Sequence, residues 1–289
     1  MEKFSAHYQQ AIRLMSDKII SRRYSRHTYQ IYMTMFKQFL GYCHPKPLND
    51  IGQKEIRAYQ YYLVSEKKVS GSYQNQSINA IKFYLEKVCG QDPKFYDLER
   101  PVKEEKLPEV LSQKEISAIL NSFTNLKHKT IITFIYATGT RISEALSLKL
   151  SDIDSENMRV FIKGGKGKKD RITILSRYLL KLLREYYKAY RPKKYLFEGP
   201  SGKPYSASST RKVFQRACKK AGTNRHVTVH TMRHSFGTHL IEEGTNLRYV
   251  QTLMGHNSPK TTELYTHVSN KKLSEVRSPL ENMAEKGYI

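Results

Sequence analysis

The chain has 289 residues, with 50 lysines and arginines against 26 aspartates and glutamates, a formal net charge of +24. That length accommodates two domains, each with its own core; its longest apolar runs fall far short of the ~20 residues that span a bilayer; and three scattered cysteines, Cys43, Cys89 and Cys218, argue against a disulfide framework or a cysteine-only zinc site. The charge is spread along the chain, +7 over residues 1–108 and +17 over 109–289, rather than gathered in a polybasic tail, which favours nucleic acid over an anionic membrane as the partner.

Residues 1–20 mix charge and polarity where a secretory leader needs a continuous apolar stretch, so the expectation is a reduced, cytoplasmic setting. The N-terminal hundred residues read as helical. Beyond Ser25, a candidate N-cap, Tyr29, Tyr32, Met33, Phe36, Phe39, Leu40 and Cys43 recur with the 3.6-residue period of an amphipathic helix that ends near Gly41 to Pro47. A second helix is expected after Asp50, with Ile51, Ile56, Tyr59, Tyr62 and Leu63 on its apolar face. A third runs from about Ser72 to Gly90, a plausible C-cap. The stretch ERPVKEEKLP (99–108) has two prolines and dense charge and reads as a linker, giving a helical domain over 1–98 and a second domain over 109–289.

The second domain opens with Ser112 and Glu115 at capping-box spacing. An apolar helix (Thr130 to Tyr136), a turn (Ala137 to Thr140) and a helix from Arg141 through Leu150 follow. The period then changes: Met158 to Lys163 and Arg171 to Leu175 are short β-rich runs flanking a glycine- and lysine-rich turn, so a hairpin is expected. From Tyr178 the pattern is helical again, broken at Pro192, Pro200 to Pro204, Gly222 to Arg225, Gly244 and Gly255-His256.

Five features carry potential chemistry, and each has a plain alternative. His230 and Arg233 are three apart, on one helical face, as many surface pairs are. Arg141 begins a helix, where a cation is electrostatically out of place, although exposed arginines do occur there. Lys166 lies at the hairpin tip, as a solvated lysine would. His256 follows a helix end, a common place for a charge complement. Tyr265 is one of 21 tyrosines.

These features occur in order within ATGTRISEAL (137–146), GKGKKDR (165–171), HTMRHSFGTH (230–239), LMGH (253–256) and TTELYTHV (261–268). Together the segments resemble the tyrosine recombinase, or phage integrase, family, especially its simple two-domain Xer-type members. The resemblance implies a mainly α fold: a SAM-like helical core-binding domain and a mainly α catalytic domain with a small antiparallel sheet, forming a C-shaped DNA clamp. It implies Tyr265 as nucleophile, with Arg141, Lys166, His230, Arg233 and His256 completing the site and Glu144 buttressing Arg141. The chemistry suits those roles. Attack on a phosphodiester builds charge on the phosphoryl oxygens, which the planar forks of Arg141 and Arg233 stabilise. A phenol of pKa near 10 needs a base, assigned to His230, and the departing 5′ oxygen needs an acid, assigned to Lys166, the choice among neighbouring lysines resting on the G-K-G match. His256 would bond a phosphate oxygen or support Tyr265.

No cofactor is expected: the Gly164 to Gly167 loop lacks the G-K-[ST] ending of a nucleotide-binding loop. No metal is expected either, because His230 and His234 have i, i+4 spacing but no H-E-x-x-H glutamate. The implied partner is double-stranded DNA bearing a short, partly symmetric recombination site, bound by two protomers per site and four in the synapse, with a paralogous recombinase on one half-site as an open alternative. The expected activity is site-specific cleavage and rejoining through a 3′-phosphotyrosyl intermediate; the rivals are a catalytically silent DNA-binding regulator and a type IB topoisomerase-like relaxing enzyme. The tail Ser278 to Ile289 is expected either to dock on a neighbouring protomer or to fray. If the surplus charge tracks the DNA backbone, log affinity for duplex DNA should fall linearly with log salt, by ~0.9 per phosphate neutralised. Fluorescence anisotropy across a salt series measures this slope, and a flat response would rule the backbone role out.

Overall fold

Serines begin several of the helices. In the computed structural model, which describes residues 5–92, 100–102, 109–164, 170–223 and 227–255, the chain divides into two compact units, Met1–Glu105 and Lys106–Ile289. The first contains α1 (Ala6–Ser21), α2 (Arg26–Cys43), α3 (Gln53–Ser65) and α4 (Gly71–Phe83), the last continuing as a π-helical turn over Tyr84–Val88. Ser25 Oγ accepts from Thr28 N at 3.1 Å and Ser70 Oγ from Tyr73 N at 3.3 Å, satisfying amides that a helix start leaves without partners. Met33, Phe36, Phe39 and Leu40 of α2 meet Ile56, Tyr59 and Leu63 of α3 and Ala80 and Ile81 of α4 in one core. Helix α1, absent from the sequence reading, adds Tyr8, Ala11, Met15 and Ile19 to that core. Its apolar stripe is helical in spacing but diluted by the polar residues between.

The second unit contains α5 (Gln113–Asn121), α6 (Leu126–Thr138), α7 (Ile142–Ser147), a three-stranded antiparallel sheet, α8 (Arg177–Tyr190), α9 (Ala207–Lys220), α10 (Val229–Glu242) and α11 (Leu247–Met254). The Ser112–Glu115 capping box forms, with Ser112 N donating to Glu115 Oε2 at 2.7 Å. Helix α6 is the centre: Thr130 to Ile135 are buried in succession, and α5, α8, α9 and α10 pack around it. It begins at Leu126, four residues before the expected start, because Asn125 caps it by accepting from His128 N at 3.1 Å.

Helix α7 ends at Ser147, short of the expected Leu150. The chain leaves it to bond with the segment after α8: Leu196 N donates to Leu148 O at 2.8 Å and Leu150 N to Lys194 O at 3.2 Å. Strands β1 (Ile153–Asp154), β2 (Arg159–Ile162) and β3 (Arg171–Ile174) lie in that order, with Arg159 opposite Ile174 and Ile162 opposite Arg171. Met158 takes a positive φ of 54°, which removes it from the expected strand. β1 is too short for its two residues to show a period. The hairpin turn, residues 165–169, lies outside the described residues, as do the C-terminal residues 256–289.

Gly139 closes α6 in the left-handed conformation, φ 61°, and a Cβ there would lie 2.3 Å from Phe236 Cδ1 on α10. Only a residue without a side chain fits both the backbone and the neighbour. Gly139→Ala should therefore destabilise the second unit by about 2–4 kcal/mol, the sum of left-handed strain and overpacking. Denaturant unfolding measures this; a loss of only about 1–2 kcal/mol would mean that Phe236 repacks and the left-handed strain alone is felt, and no loss would overturn both contributions.

Candidate active site

The expected conflict of a cation at the start of α7 is resolved by Glu144. Arg141 is the N-cap residue, and Glu144, three positions on, accepts its backbone N–H at 2.8 Å and its Nη1 at 2.7 Å. The pairing of these two residues is the one the family resemblance implies. A third participant joins them: Arg171, first residue of β3, grips the same carboxylate in bidentate fashion, Nη1 to Oε1 at 3.1 Å and Nη2 to Oε2 at 2.7 Å. Arg233, on α10, is 1% exposed and lies 3.9 Å from Glu144 Oε2. Its Nη1 donates to the Gly139 carbonyl and its Nη2 to Met254 O at 2.6 Å, so it joins the ends of α6 and α11. Burial pushes the Glu144 carboxyl upward, but hydrogen bonds from Arg171 and from the Arg141 backbone, then the charge of Arg171 and a hydrogen bond from the Arg141 side chain, hold it at about 2.

His230 stands in the first turn of α10. It lines a cleft of about 380 Å³ with Arg141, Arg211 and Gln215. The ring of His234 meets that of His230 edge-on, centroids 4.5 Å apart. The structure thus brings together Arg141, Glu144, His230 and Arg233. Lys166, His256 and Tyr265 lie outside the described residues. Two residues near the site were missed by sequence reasoning: Arg211, one cation among several on α9, and Arg171, which lay within a quoted segment but had no spacing signal tying it to Glu144. Among the described residues no group of three His, Cys, Asp or Glu side chains is placed to hold a metal ion, and no helix is long and apolar enough to cross a membrane.

In a mainly helical unit, a small antiparallel sheet helps assemble clustered arginines beside a cleft lined by His230, an arrangement that offers planar cationic donors and an imidazole to an anionic group such as a phosphate. Residues 109–272 match the phage integrase family and residues 12–94 match the phage integrase N-terminal SAM-like domain. The chain is 38% identical over 273 residues to y4qK of Sinorhizobium fredii, an integrase/recombinase by name, covering 92% of this chain and 87% of that protein. It is 30% identical over 275 residues to the tyrosine recombinase XerC of Bacillus subtilis, covering 88% and 90%. Among solved structures, the XerH site-specific recombinase bound to palindromic difH substrate in a post-cleavage complex shares the fold, with a TM-score of 0.73, 24% identity, and coverage of 96% of this chain and 86% of that one. The chain belongs to the phage integrase family and is a site-specific tyrosine recombinase.

The two histidines make stability depend on pH. Burial, then the charges of His230 and Arg233, push the His234 imidazole down to about 4; burial, then Arg233 and Arg141, push His230 down as well. An unfolded imidazole titrates near 6.5, so on acidification the unfolded chain binds protons first and native stability falls between about pH 6.5 and 4. Glu144 has the same sign at lower pH, its contribution being lost from about 4.5 towards 2. The thermal midpoint should fall over the histidine window, and His234→Leu should remove up to about 3 kcal/mol of that dependence. Parallel pH profiles for the two proteins would show that His234 is not the linked group.

Proposed function

We propose that Tyr265 attacks a phosphodiester of duplex DNA, with Arg141 and Arg233 at the phosphate, His230 as general base, Lys166 as general acid, His256 bonding a phosphate oxygen or supporting Tyr265, and Glu144 fixing Arg141. The Tyr265 oxygen forms a bond to phosphorus while the bond to the 5′ oxygen breaks. His230 takes the phenol proton, and Lys166 gives a proton to the departing 5′ oxygen. The products are a 3′-phosphotyrosyl enzyme and a free 5′ hydroxyl. One phosphoester replaces another, so a different 5′ hydroxyl reseals the strand by the reverse steps.

The observation that carries this reading is the convergence of Arg141 from α7 and Arg233 from α10 on Glu144, with His230 lining the same cleft as Arg141. A neutral imidazole, which the lowered pKa of His230 supplies at pH 7, is the form able to accept a proton. The substrate is a short, partly symmetric site, bound by two protomers and brought into a four-protomer synapse, with either this chain or a paralogue on each half-site. The XerH recombinase bound to palindromic difH substrate, and the Tn1549 transposon integrase in complex with transposon right end DNA, support the DNA partner. The enzyme acts on nucleoid DNA in the cytoplasm.

A nicked duplex that releases a short fragment on cleavage traps the covalent intermediate. The wild-type protein should give a slower band on a denaturing gel, Tyr265→Phe none, and Arg141→Ala a band forming roughly 10²–10³-fold more slowly. An adduct with Tyr265→Phe would place the nucleophile elsewhere.

A further inference from the structure

Arg171 has no role in the reaction described above, yet its side chain is only 8% exposed and every nitrogen of its guanidinium is engaged. Two of them take both oxygens of Glu144. The third, Nε, donates at 2.9 Å to Leu253 O in the last turn of α11. Gly255, which ends α11 with φ 62°, lies directly against this side chain: a Cβ there would be 2.8 Å from Arg171 Cδ and 3.1 Å from Nε and Nη1. One planar group thus joins three pieces of chain. The first is α7, whose N-cap is Arg141. The second is β3, whose first residue stands five positions after Lys166 in the sequence, and the third is α11, followed in the sequence by His256 and Tyr265.

The geometry of Glu144 explains why this matters. Without Arg171, the Glu144 carboxylate would be held at Oε2 by the Arg141 backbone N–H alone, and Oε1 would be fixed only by the Arg141 side chain that it has to position. With both oxygens fixed from behind by a rigid fork, Glu144 presents a fixed acceptor, and Arg141 Nη1 has one position in which to meet it. Lysine, a single point donor on a flexible stem, would not hold the carboxylate plane. We propose that Arg171 is a positioning residue for strand cleavage, which sets Arg141 through Glu144 and registers both against the end of α11. The proposal rests on the phosphate role assigned to Arg141 above.

The test uses the full chain and a nicked duplex selected for binding from a randomised pool, together with the same duplex carrying a neutral methylphosphonate at the scissile position. With saturating enzyme, Arg171→Ala and Arg171→Lys should form the covalent adduct about 10–100-fold more slowly than wild type on the phosphodiester. Their Kd for the duplex should stay within about threefold of wild type, which separates positioning from binding. On the methylphosphonate, where less charge has to be met, the deficit should shrink to about threefold or less. Arg171→Lys retains a cation in the buried site and, with an unchanged unfolding midpoint, guards against loss of fold. A deficit equal on both substrates, or cleavage by both variants within about threefold of wild type on the phosphodiester, overturns the proposal. Arg141→Ala is the internal control: cleavage at the wild-type rate would overturn the phosphate reading itself, whereas a slow reaction rescued by methylphosphonate, alongside insensitive Arg171 variants, overturns this inference alone.

Discussion

The carboxylate of Glu144 is the constraint on which the rest of the catalytic unit depends. It accepts four hydrogen bonds, from the backbone and side chain of Arg141 and from two nitrogens of Arg171, and a third guanidinium, Arg233, lies 3.9 Å away. Removing a carboxylate from water costs several kcal/mol unless its charge and lone pairs are matched. Here they are matched by groups from three elements, so the same interaction that offsets the cost of burial also fixes α7, β3 and α10 with respect to one another. The cluster contains three formal positive charges against one negative, so it remains attractive to an anion after its internal pairing is complete.

Helix ends supply the remaining negative character. Arg233 donates to Gly139 O at the end of α6 and to Met254 O at the end of α11, and Arg171 donates to Leu253 O, so both arginines sit where a helix dipole is negative and carbonyls lack intrahelical partners. Both helices finish on a left-handed glycine, Gly139 or Gly255. At each the absent Cβ does two things at once: it permits the backbone turn that exposes the carbonyls, and it leaves space for Phe236 in one case and for Arg171 in the other. A substitution at either glycine therefore disturbs arginine placement as well as helix termination.

Much of this could be read from local pattern, and the exceptions share a cause. Helices α2 to α4 were visible because their apolar stripes are dense, with Ser25 marking the start of α2, whereas the caps Gly52 and Ser70 of α3 and α4 were not read from the sequence. The Arg141–Glu144 pair came from the family resemblance, which sets the two residues one turn apart within a single motif. Arg171 was not visible, since 27 residues separate it from Glu144 and 82 from Leu253, and no local period reports a contact of that range. The early end of α7 was hidden for the same reason: the backbone partner that draws Leu148 out of the helix is Leu196, beyond the next helix. Helix α1 is the reverse case, a fully local signal of four buried residues that polar neighbours diluted.

The net charge of +24 then separates into two populations with different physics. Arg171 and Arg233 are buried and held by internal acceptors, where bulk salt screens little. Arg211, Lys212, Arg216, Lys219 and Lys220 on α9 are exposed, and their attraction for a polyanion is fully open to screening. Exposed charge of this kind acts at long range on a polyanion, and its pull weakens as salt rises. The buried set has its geometry fixed by internal acceptors, Arg171 by Glu144 and Leu253 O and Arg233 by the carbonyls of Gly139 and Met254. Arg141 connects the two. Its guanidinium is anchored to Glu144 on one side and, with 24% of its side chain exposed, borders the cleft shared with His230 and Arg211 on the other. A cation that is neither buried nor free keeps its charge towards solvent while its geometry is held, and in this chain the anchoring carboxylate makes that intermediate state possible.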